Sequence, residues 1–225
     1  MILILIGPPG SGKSTQSHLL VDMLQLPYIS VGETIRNALK SGPFASFKQI
    51  VDEGNLLPDH IVFEIIKDKL AEINFKKGFI MEGFPRTLGQ AEWLDKWLKN
   101  QNCAIDKVFY LNGMEHHTIK KRILSRHQCA HCGKIFTAQN NDAKIECPQC
   151  QGPVYDRIDD KEDALRNRID QYHQQSAPVV EYYLNKSILR TIDATKSINE
   201  VFEHISEFIH QERPMEEKSL NHDFA

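Results

Sequence analysis

The segment 7–14, with the sequence GPPGSGKS, carries glycines, a lysine and a hydroxyl residue at spacings that suit phosphate binding. It matches the pattern G-x-x-x-x-G-K-[ST] and follows a continuous apolar run at 2–6, which predicts a buried strand. Glycines let backbone N–H groups turn inward around phosphate oxygens, and the N-terminus of a following helix adds partial positive charge. Lys13 would bring a point charge to the β- and γ-phosphates. The segment predicts a nucleotide site; the alternative is a glycine-rich strand-to-helix turn that binds no ligand.

Four of the five cysteines form two pairs with the spacing of a metal site. Cys129 and Cys132 make the first C-x2-C pair, Cys147 and Cys150 make the second, and 14 residues separate the pairs. This pattern predicts a tetrahedral Zn²⁺ held by four thiolates, with no open position, so the metal would be structural. The alternative is four free thiols or two disulfides. Cys103 is left over, and we expect it to be a small, partly buried residue.

The composition limits the kinds of partner. The chain has 225 residues, 25% of them charged, with a formal net charge of −3, which suits one globular unit with a small insertion. This balance gives no general attraction to nucleic acid or to a membrane surface. No signal peptide is visible, and no stretch approaches the roughly 20 apolar residues of a membrane span. We therefore expect a cytoplasmic protein that binds neither nucleic acid nor membrane.

Apolar runs alternate with helical patterns along most of the chain. Strands are predicted at 2–6, 28–29, 78–81, 108–111 and 188–192. Helices are predicted after residue 12 and at 33–40, 44–53, 59–72, 91–98, 115–126, 161–185 and 198–211. Such alternation implies a parallel sheet that helices cover on both faces. The cysteine segment, 127–158, breaks this rhythm and is predicted to be an inserted subdomain.

Two further segments carry a resemblance to a known family. Residues 82–87, EGFPRT, directly follow a predicted strand, Gln90 lies on the next helix, and residues 30–36 read SVGETIR. With the phosphate loop, these segments resemble the nucleoside monophosphate kinases, and most of all the adenylate kinases with a zinc-binding lid. The resemblance extends from residue 1 to about residue 209. It implies an α/β fold: a P-loop-containing three-layer sandwich with a parallel five-stranded sheet, a helical monophosphate-binding insertion and a zinc-ribbon lid.

The resemblance also implies a division of the chain and a reaction. The core would comprise 1–29 (the phosphate loop), 61–126 and 159–213, the insertion 30–60, the lid 127–158, and a flexible tail 214–225. The reaction would be reversible, Mg²⁺-dependent transfer of the γ-phosphoryl group from ATP to AMP, giving two ADP. The protein would act as a monomer.

Site roles follow from the same resemblance. Arg36 and Arg86 match the arginines that hold the acceptor phosphate, and Gln90 matches a glutamine that pairs with the adenine edge, where relatives using pyrimidines carry asparagine. The implied catalytic set is Lys13, Arg86, Arg122, Arg126, Arg157 and Arg168. The implied ATP-binding set is Gly7, Gly10, Ser11, Gly12, Lys13, Ser14, Thr15, Arg122, Arg126 and Lys196. The implied AMP-binding set is Val31, Arg36, Leu57, Gly83, Arg86, Gln90, Arg157 and Arg168.

The spacing of the arginines makes two structural predictions. Arg122 and Arg126 lie four residues apart, so on the predicted helix they would share a face. Arg157 and Arg168 lie 11 residues apart, which on one straight helix would separate them by about 16 Å, too far to grip one phosphoryl group. We therefore expect a bend at Asp159 and Asp160, which would serve as hinge and helix N-cap.

The chain departs from the family pattern around the expected magnesium site. Ser14 stands where the family has glycine, and Glu33 and Glu82 stand where it has aspartates that hold the Mg²⁺ water shell. The three changes either form one compensated set, with Ser14 as a direct ligand, or are independent drift. Val31 also replaces a threonine near the acceptor base, and His127 replaces the second arginine of an Arg-Arg pair.

Three other functions remain open at this point. The first is another nucleoside monophosphate kinase with CMP, UMP or GMP as acceptor, for which Val31 is the main argument. The second is a zinc-ribbon nucleic-acid-binding module that uses ATP as a switch; the acidic composition and the segment 83–86 argue against it. The third is a catalytically inactive nucleotide sensor, against which the intact Lys13 and the six arginines argue.

Overall fold

The computed structural model describes residues 1–74, 77–137 and 145–210, so the tail predicted at 214–225 lies outside the described residues. Its strands are β1 Ile2–Ile6, β2 Tyr28–Ser30, β3 Phe79–Glu82, β4 Lys107–Asn112, β5 Arg126–Cys129, β6 Ile135–Thr137, β7 Val154–Tyr155 and β8 Leu189–Asp193. Its α-helices are α1 Lys13–Leu24, α2 Val31–Ala38, α3 Lys48–Asp52, α4 Asp59–Ala71, α5 Leu88–Asn100, α6 His116–Leu124, α7 Glu162–Asn185 and α8 Ile198–His210.

The core is a five-stranded parallel sheet with the order β2-β3-β1-β4-β8. Central β1 is buried along its whole length because helices cover both faces of the sheet. On one face its isoleucines at 2, 4 and 6 pack with α4, α5 and α7, and on the other Leu3 and Leu5 pack with α1 and α8. The alternation of side chains along a strand produces these two apolar layers. The predicted α/β three-layer sandwich is confirmed.

Several helix boundaries differ from the prediction. The helix expected at 115–126 ends at Leu124, and Arg126 instead opens β5, where it pairs with Thr137 of β6. The prediction that Arg122 and Arg126 share a helix face is therefore wrong. The region 44–53 divides into a 3₁₀ turn, Ala45–Phe47, and α3. Helix α5 begins earlier than expected because the Thr87 hydroxyl caps it by accepting a hydrogen bond from the Gln90 N–H.

A second, smaller sheet lies between α6 and α7. Its three antiparallel strands have the order β6-β5-β7, and the four paired cysteines lie on or beside them. Within the expected lid, 127–158, residues 138–144 lie outside the described residues. None of the helices in the described ranges combines the length and the apolar character that crossing a membrane requires.

Candidate active site

A cavity of about 790 Å³, called here the main cavity, opens at the carboxyl ends of β1 and β3. The phosphate loop, α2, α7 and the small sheet form its walls. Ligands of parallel α/β sheets bind at this edge, outside the carboxyl ends of the strands. The predicted site residues that line the main cavity are Gly7, Gly10, Ser11, Gly12, Lys13, Ser14, Thr15, Glu33, Arg36, Glu82, Gly83, Arg86, Arg122, Arg126, Arg157, Arg168 and Lys196.

The phosphate loop owes its path to glycine. A Cβ on Gly7 would lie 2.4 Å from the backbone oxygen of Leu111, and Gly12, the N-cap of α1, has a φ of 91° that favours glycine. Lys13 folds back, and its Nζ donates to the backbone oxygens of Gly7 (3.0 Å) and Pro8 (2.8 Å). Burial above all lowers the pKa of Lys13, to about 7, with Glu82 opposing the shift and Arg86, Arg168 and Arg126 adding to it. The loop therefore faces an excess of positive charge that an anion would relieve.

Two arginines converge beside the loop. A Cβ built on Gly32 would lie 3.3 Å from Arg36 Nη1 and 3.7 Å from Arg86 Nη2, so both guanidiniums approach the same glycine. Arg86 Nε donates to the backbone oxygen of Gly83 at 2.8 Å, which fixes the plane of its guanidinium. Burial lowers the pKa of both side chains, that of Arg36 to about 10. Two planar guanidiniums at one point suit a phosphate group.

Three further arginines meet two aspartates where the small sheet and α7 border the main cavity. Arg126 donates to both carboxylate oxygens of Asp160 at 2.6 Å. Arg168 Nη1 lies 2.9 Å from Asp160 Oδ1 and 3.1 Å from Asp159 Oδ2, and Arg157 forms a two-pronged ion pair with Asp159. All five side chains are at least 87% buried, since none exposes more than 13% of its surface. The guanidiniums are thus held in place before any phosphate binds.

The chain bends between Arg157 and Arg168 as expected, through a 3₁₀ turn, Ile158–Asp160, that precedes α7. The predicted N-cap is wrong. Lys161 occupies the cap position of α7, with no side-chain hydrogen bond, because the carboxylates of Asp159 and Asp160 pair with arginines instead. Arg122 lies apart from this cluster on α6, where its Nη1 is 3.0 Å from the sulfur of Met114.

The three residues of the expected magnesium site line the main cavity together. Glu82 Oε2 accepts hydrogen bonds from Ser30 Oγ (3.1 Å) and Tyr28 Oη (3.3 Å), which fixes its position. Burial alone would raise the pKa of Glu82, but Lys13 and then Arg86 hold it below its ordinary value. Glu33 approaches the small sheet: a Cβ on Gly133, between β5 and β6, would lie 3.7 Å from Glu33 Oε1. With the Ser14 hydroxyl, these carboxylates supply the hard oxygen donors that Mg²⁺ prefers, so the residues fit the ion.

The four paired cysteines come together at one end of the small sheet. Their sulfurs all lie within 4.8 Å of one another, and Cys129 Sγ to Cys150 Sγ and Cys132 Sγ to Cys147 Sγ are each 3.5 Å. A tetrahedral site with Zn–S bonds of about 2.3 Å has sulfur–sulfur edges of about 3.8 Å. The backbone N–H groups of His131 and Cys132 donate to Cys129 Sγ at 3.3 and 3.5 Å, contacts that favour a thiolate. The cluster fits Zn²⁺.

A small cavity of about 50 Å³ lies beside the main cavity, between α2 and α5. The remaining predicted site residues, Val31, Leu57 and Gln90, line it, with Arg36, Gly83, Arg86, Arg157 and Arg168. Gln90 is 2% exposed. Its Oε1 accepts from the Arg86 backbone N–H and its Nε2 donates to Asp59 Oδ1, each at 2.8 Å.

Comparison with known proteins decides between the families that this geometry allows. The family model described as "Adenylate kinase" matches residues 5–188. The chain belongs to the adenylate kinase family. A protein of that name from Alkaliphilus oremlandii is 41% identical over 209 residues, covering 91% of this chain and 96% of its own. Similar proteins from Thermodesulfovibrio yellowstonii (38% over 209 residues, 91% and 97%) and Archaeoglobus fulgidus (40% over 211 residues, 91% and 96%) carry the same name. Membership makes the chain a phosphotransferase.

The motifs of this adenylate kinase family did not reveal every residue around the site. Tyr28 and Ser30, which hold Glu82, were missed, and so was Asp59, which contacts Gln90 from 31 residues away. Gln128 was missed as well. It lines the main cavity on the same face of β5 as Arg126. Alternate residues of a strand share a face, so a correct prediction of β5 would have identified Gln128.

Proposed function

We propose that the protein transfers the γ-phosphoryl group of ATP to AMP, reversibly, giving two ADP. The observation that carries this proposal is the convergence of donor-side and acceptor-side cations in one cavity. Lys13 of the phosphate loop lies close enough to Arg86, Arg168 and Arg126 for each to lower its pKa. A cavity that neutralises two sets of phosphates at one place is what a direct transfer between two nucleotides requires.

The ATP phosphates would lie in the phosphate loop. The backbone N–H groups of residues 10–15 and the N-terminus of α1 would hold the phosphate oxygens, with Lys13 at the β- and γ-phosphates. Lys196 and Arg122, which line the same cavity, would lie along the ATP nucleoside. Ser14, Glu33 and Glu82 would hold Mg²⁺, directly or through water. When bound, Mg²⁺ neutralises phosphate charge and helps to orient the transferring group.

The acceptor phosphate would lie between Arg36 and Arg86, opposite the loop. The transferring group would then be covered by Arg126, Arg157 and Arg168, whose positions the two aspartates fix in advance. Phosphoryl transfer develops charge on the equatorial oxygens and needs little covalent chemistry from the protein. Guanidiniums that are fixed in advance around the transferring group would therefore supply most of the catalysis by electrostatic stabilisation.

The acceptor base would enter the small cavity. Val31 and Leu57 are buried apolar walls there, and the Gln90 carboxamide is its polar group. An amide can accept from the N6 amine of adenine and donate to N1. We therefore propose AMP as the preferred acceptor.

We also propose how the parts of the chain cooperate. Residues 30–60 would form the acceptor-binding insertion and 127–158 a lid that carries structural Zn²⁺ on Cys129, Cys132, Cys147 and Cys150. We propose a monomer in the cytoplasm, without nucleic-acid or membrane partners, and the net charge of −3 supports the last point.

The test is steady-state turnover of ATP and Mg²⁺ with AMP, GMP, CMP or UMP in separate reactions. We expect AMP to have the highest kcat/KM. Protein carrying Lys13→Ala is the control for a contaminating kinase and should lose activity with every acceptor. A higher kcat/KM for CMP or UMP than for AMP would refute the acceptor assignment.

A further inference from the structure

The side chain of Gln90 is held at both ends before any ligand enters. Its Oε1 accepts from the backbone N–H of Arg86, and its Nε2 donates to Oδ1 of Asp59, each at 2.8 Å. An amide oxygen has two lone pairs and an amide nitrogen has two hydrogens. One lone pair and one hydrogen therefore remain for a ligand in the small cavity that Gln90 lines.

The carboxylate of Asp59 is itself fixed. Its Oδ2 accepts from Thr87 Oγ1 at 2.9 Å, and the same Thr87 oxygen accepts from the Gln90 N–H at 3.1 Å. The half-buried carboxylate thus bridges the start of α4 to the start of α5. Gly89 leaves room for it, because a Cβ at that position would lie 3.0 Å from Asp59 Oδ2.

We propose that Asp59 is a specificity-determining positioning residue, which fixes the orientation of the Gln90 carboxamide and so decides which base edges the small cavity accepts. An ionised carboxylate can only accept hydrogen bonds, and a backbone N–H can only donate. Turning the carboxamide over would place Oε1 against the Asp59 carboxylate and Nε2 against the Arg86 N–H. Both contacts would be repulsive and would leave buried polar groups without partners.

This fixed orientation has a direct chemical consequence. The free lone pair of Oε1 accepts from an exocyclic amine, and the free hydrogen of Nε2 donates to an unprotonated ring nitrogen. Adenine offers that pattern through N6 and N1. Hypoxanthine and guanine present the reverse pattern, an O6 acceptor beside an N1–H donor. IMP is the sharpest probe, because it matches AMP in size and differs at this edge by that reversal alone.

The proposal deepens the proposed function, because it assumes that AMP is the acceptor and that Gln90 contacts its base. A simpler role for Asp59 would be to hold the starts of α4 and α5 together. That role predicts a loss of stability and an equal loss of turnover with every acceptor. A change in the ratio of kcat/KM for AMP to kcat/KM for IMP is therefore the informative readout.

The experiment compares the full-length wild-type protein with Asp59→Asn, using AMP and IMP as acceptors at saturating ATP and Mg²⁺. Asparagine keeps the shape of the side chain but can donate as well as accept, so it tolerates both orientations of Gln90. Hydrogen bonds to charged groups are stronger than those between neutral groups. The ratio of kcat/KM for AMP to kcat/KM for IMP should therefore fall about tenfold or more in Asp59→Asn. The Arg86 N–H is unchanged, so some preference for AMP should remain.

Asp95→Asn is the matched control. Asp95 lies on the same helix, α5, and accepts from Tyr182 Oη at 2.8 Å and from Lys186, away from both cavities. The Asp95→Asn variant should keep the wild-type ratio of kcat/KM for AMP to kcat/KM for IMP. If Asp59→Asn does not fold, Thr87→Val serves instead: it removes the hydroxyl that anchors Asp59 Oδ2, and it should lower the ratio in the same direction by a smaller factor.

The outcomes distinguish the positioning role of Asp59 from the proposed transfer of a phosphoryl group to AMP. A reduced ratio in Asp59→Asn, with KM for ATP unchanged, supports the positioning role. An unchanged ratio, or equal losses with AMP and IMP, overturns it while leaving the proposed function intact. A wild-type protein that does not phosphorylate AMP overturns the proposed function itself.

Discussion

Replacing Asp159 by asparagine would remove one negative charge from the buried arginine cluster without changing the shape of the side chain. Asp159 exposes 8% of its side chain and pairs with Arg157, also 8% exposed, and with Arg168, 13% exposed. Breaking a buried ion pair by removing one partner typically costs about 3–5 kcal/mol. Asp160 still pairs with Arg168 in the variant, so we expect a loss near the lower end, about 3 kcal/mol.

The same residue predicts how the stability changes with pH. Burial alone would raise the pKa of Asp159, but Arg168 and Arg157 outweigh it and hold the pKa well below the ordinary value of 3.8. A carboxylate whose pKa is lowered on folding contributes stability above its unfolded pKa and loses it as the pH falls toward the folded pKa. The difference in stability between wild type and Asp159→Asn should therefore be full at neutral pH and should shrink below about pH 4.

Phosphate binding gives the decisive comparison. In Asp159→Asn the guanidinium of Arg157 loses its counter-charge and Arg168 keeps only Asp160, so the phosphates of a bound ligand would supply the missing negative charge. The loss of unfolding free energy should therefore be smaller in the complex with a bisubstrate analogue, two adenosines joined by five phosphates, and the analogue should bind the variant more tightly. Urea unfolding at pH 7 with and without the analogue measures both quantities. Asp170→Asn, at an exposed position of α7, is the control and should change neither.

An equal loss of stability in the free protein and in the complex would refute this reasoning. It would mean that the phosphates do not reach the guanidiniums that Asp159 holds. The cluster would then have a structural role only.

Other predicted site residues can be tested by substitution or by removing the metal. Lys13→Ala and Arg86→Ala should each lower kcat by about 10²–10³ in steady-state assays without unfolding the protein, since such contacts strengthen as charge develops. More than half the wild-type rate in either variant would contradict their roles. Metal analysis should find one zinc per chain. Chelation should abolish the hydrogen-exchange protection of β5–β7 and leave that of the five-stranded sheet, because zinc holds the small sheet together. Zinc-free protein in which β5–β7 remain protected would contradict this prediction. Ser14→Gly should impair Mg²⁺-dependent turnover. Adding Glu33→Asp and Glu82→Asp to that variant should restore much of the turnover. If the changes in activation free energy are strictly additive, the three residues diverged from the family pattern independently.

Local patterns predicted the main sheet well, because its inner strands β1, β3 and β4 are short, mainly apolar runs that are almost completely buried. They failed where a partner distant in sequence decides the structure. Arg126 lies in a strand rather than a helix because β6 pairs with it, and the Asp159 and Asp160 carboxylates contact arginines rather than the start of α7. Local sequence patterns could reveal neither contact, because each depends on a partner outside the segment in question.

In the candidate active site, too, local motifs were predictable and contacts between distant segments were not. The phosphate loop, the segment 82–87 and the cysteine pairs are contiguous motifs, so their residues could be named from spacing and resemblance. Asp59 contacts Gln90 across 31 residues, and Tyr28 contacts Glu82 across 54. No short motif encodes these contacts, since they depend on where α4, α5, β2 and β3 lie in the folded chain.

The central claim is direct phosphoryl transfer between two nucleotides, and its most direct test is ³¹P NMR of a mixture of ATP, AMP, Mg²⁺ and protein. We predict that two ADP appear for each ATP and each AMP consumed, that no inorganic phosphate accumulates, and that starting from ADP gives the same equilibrium mixture. Release of inorganic phosphate from ATP at a rate independent of AMP would contradict the claim, because the cavity would then be transferring phosphate to water.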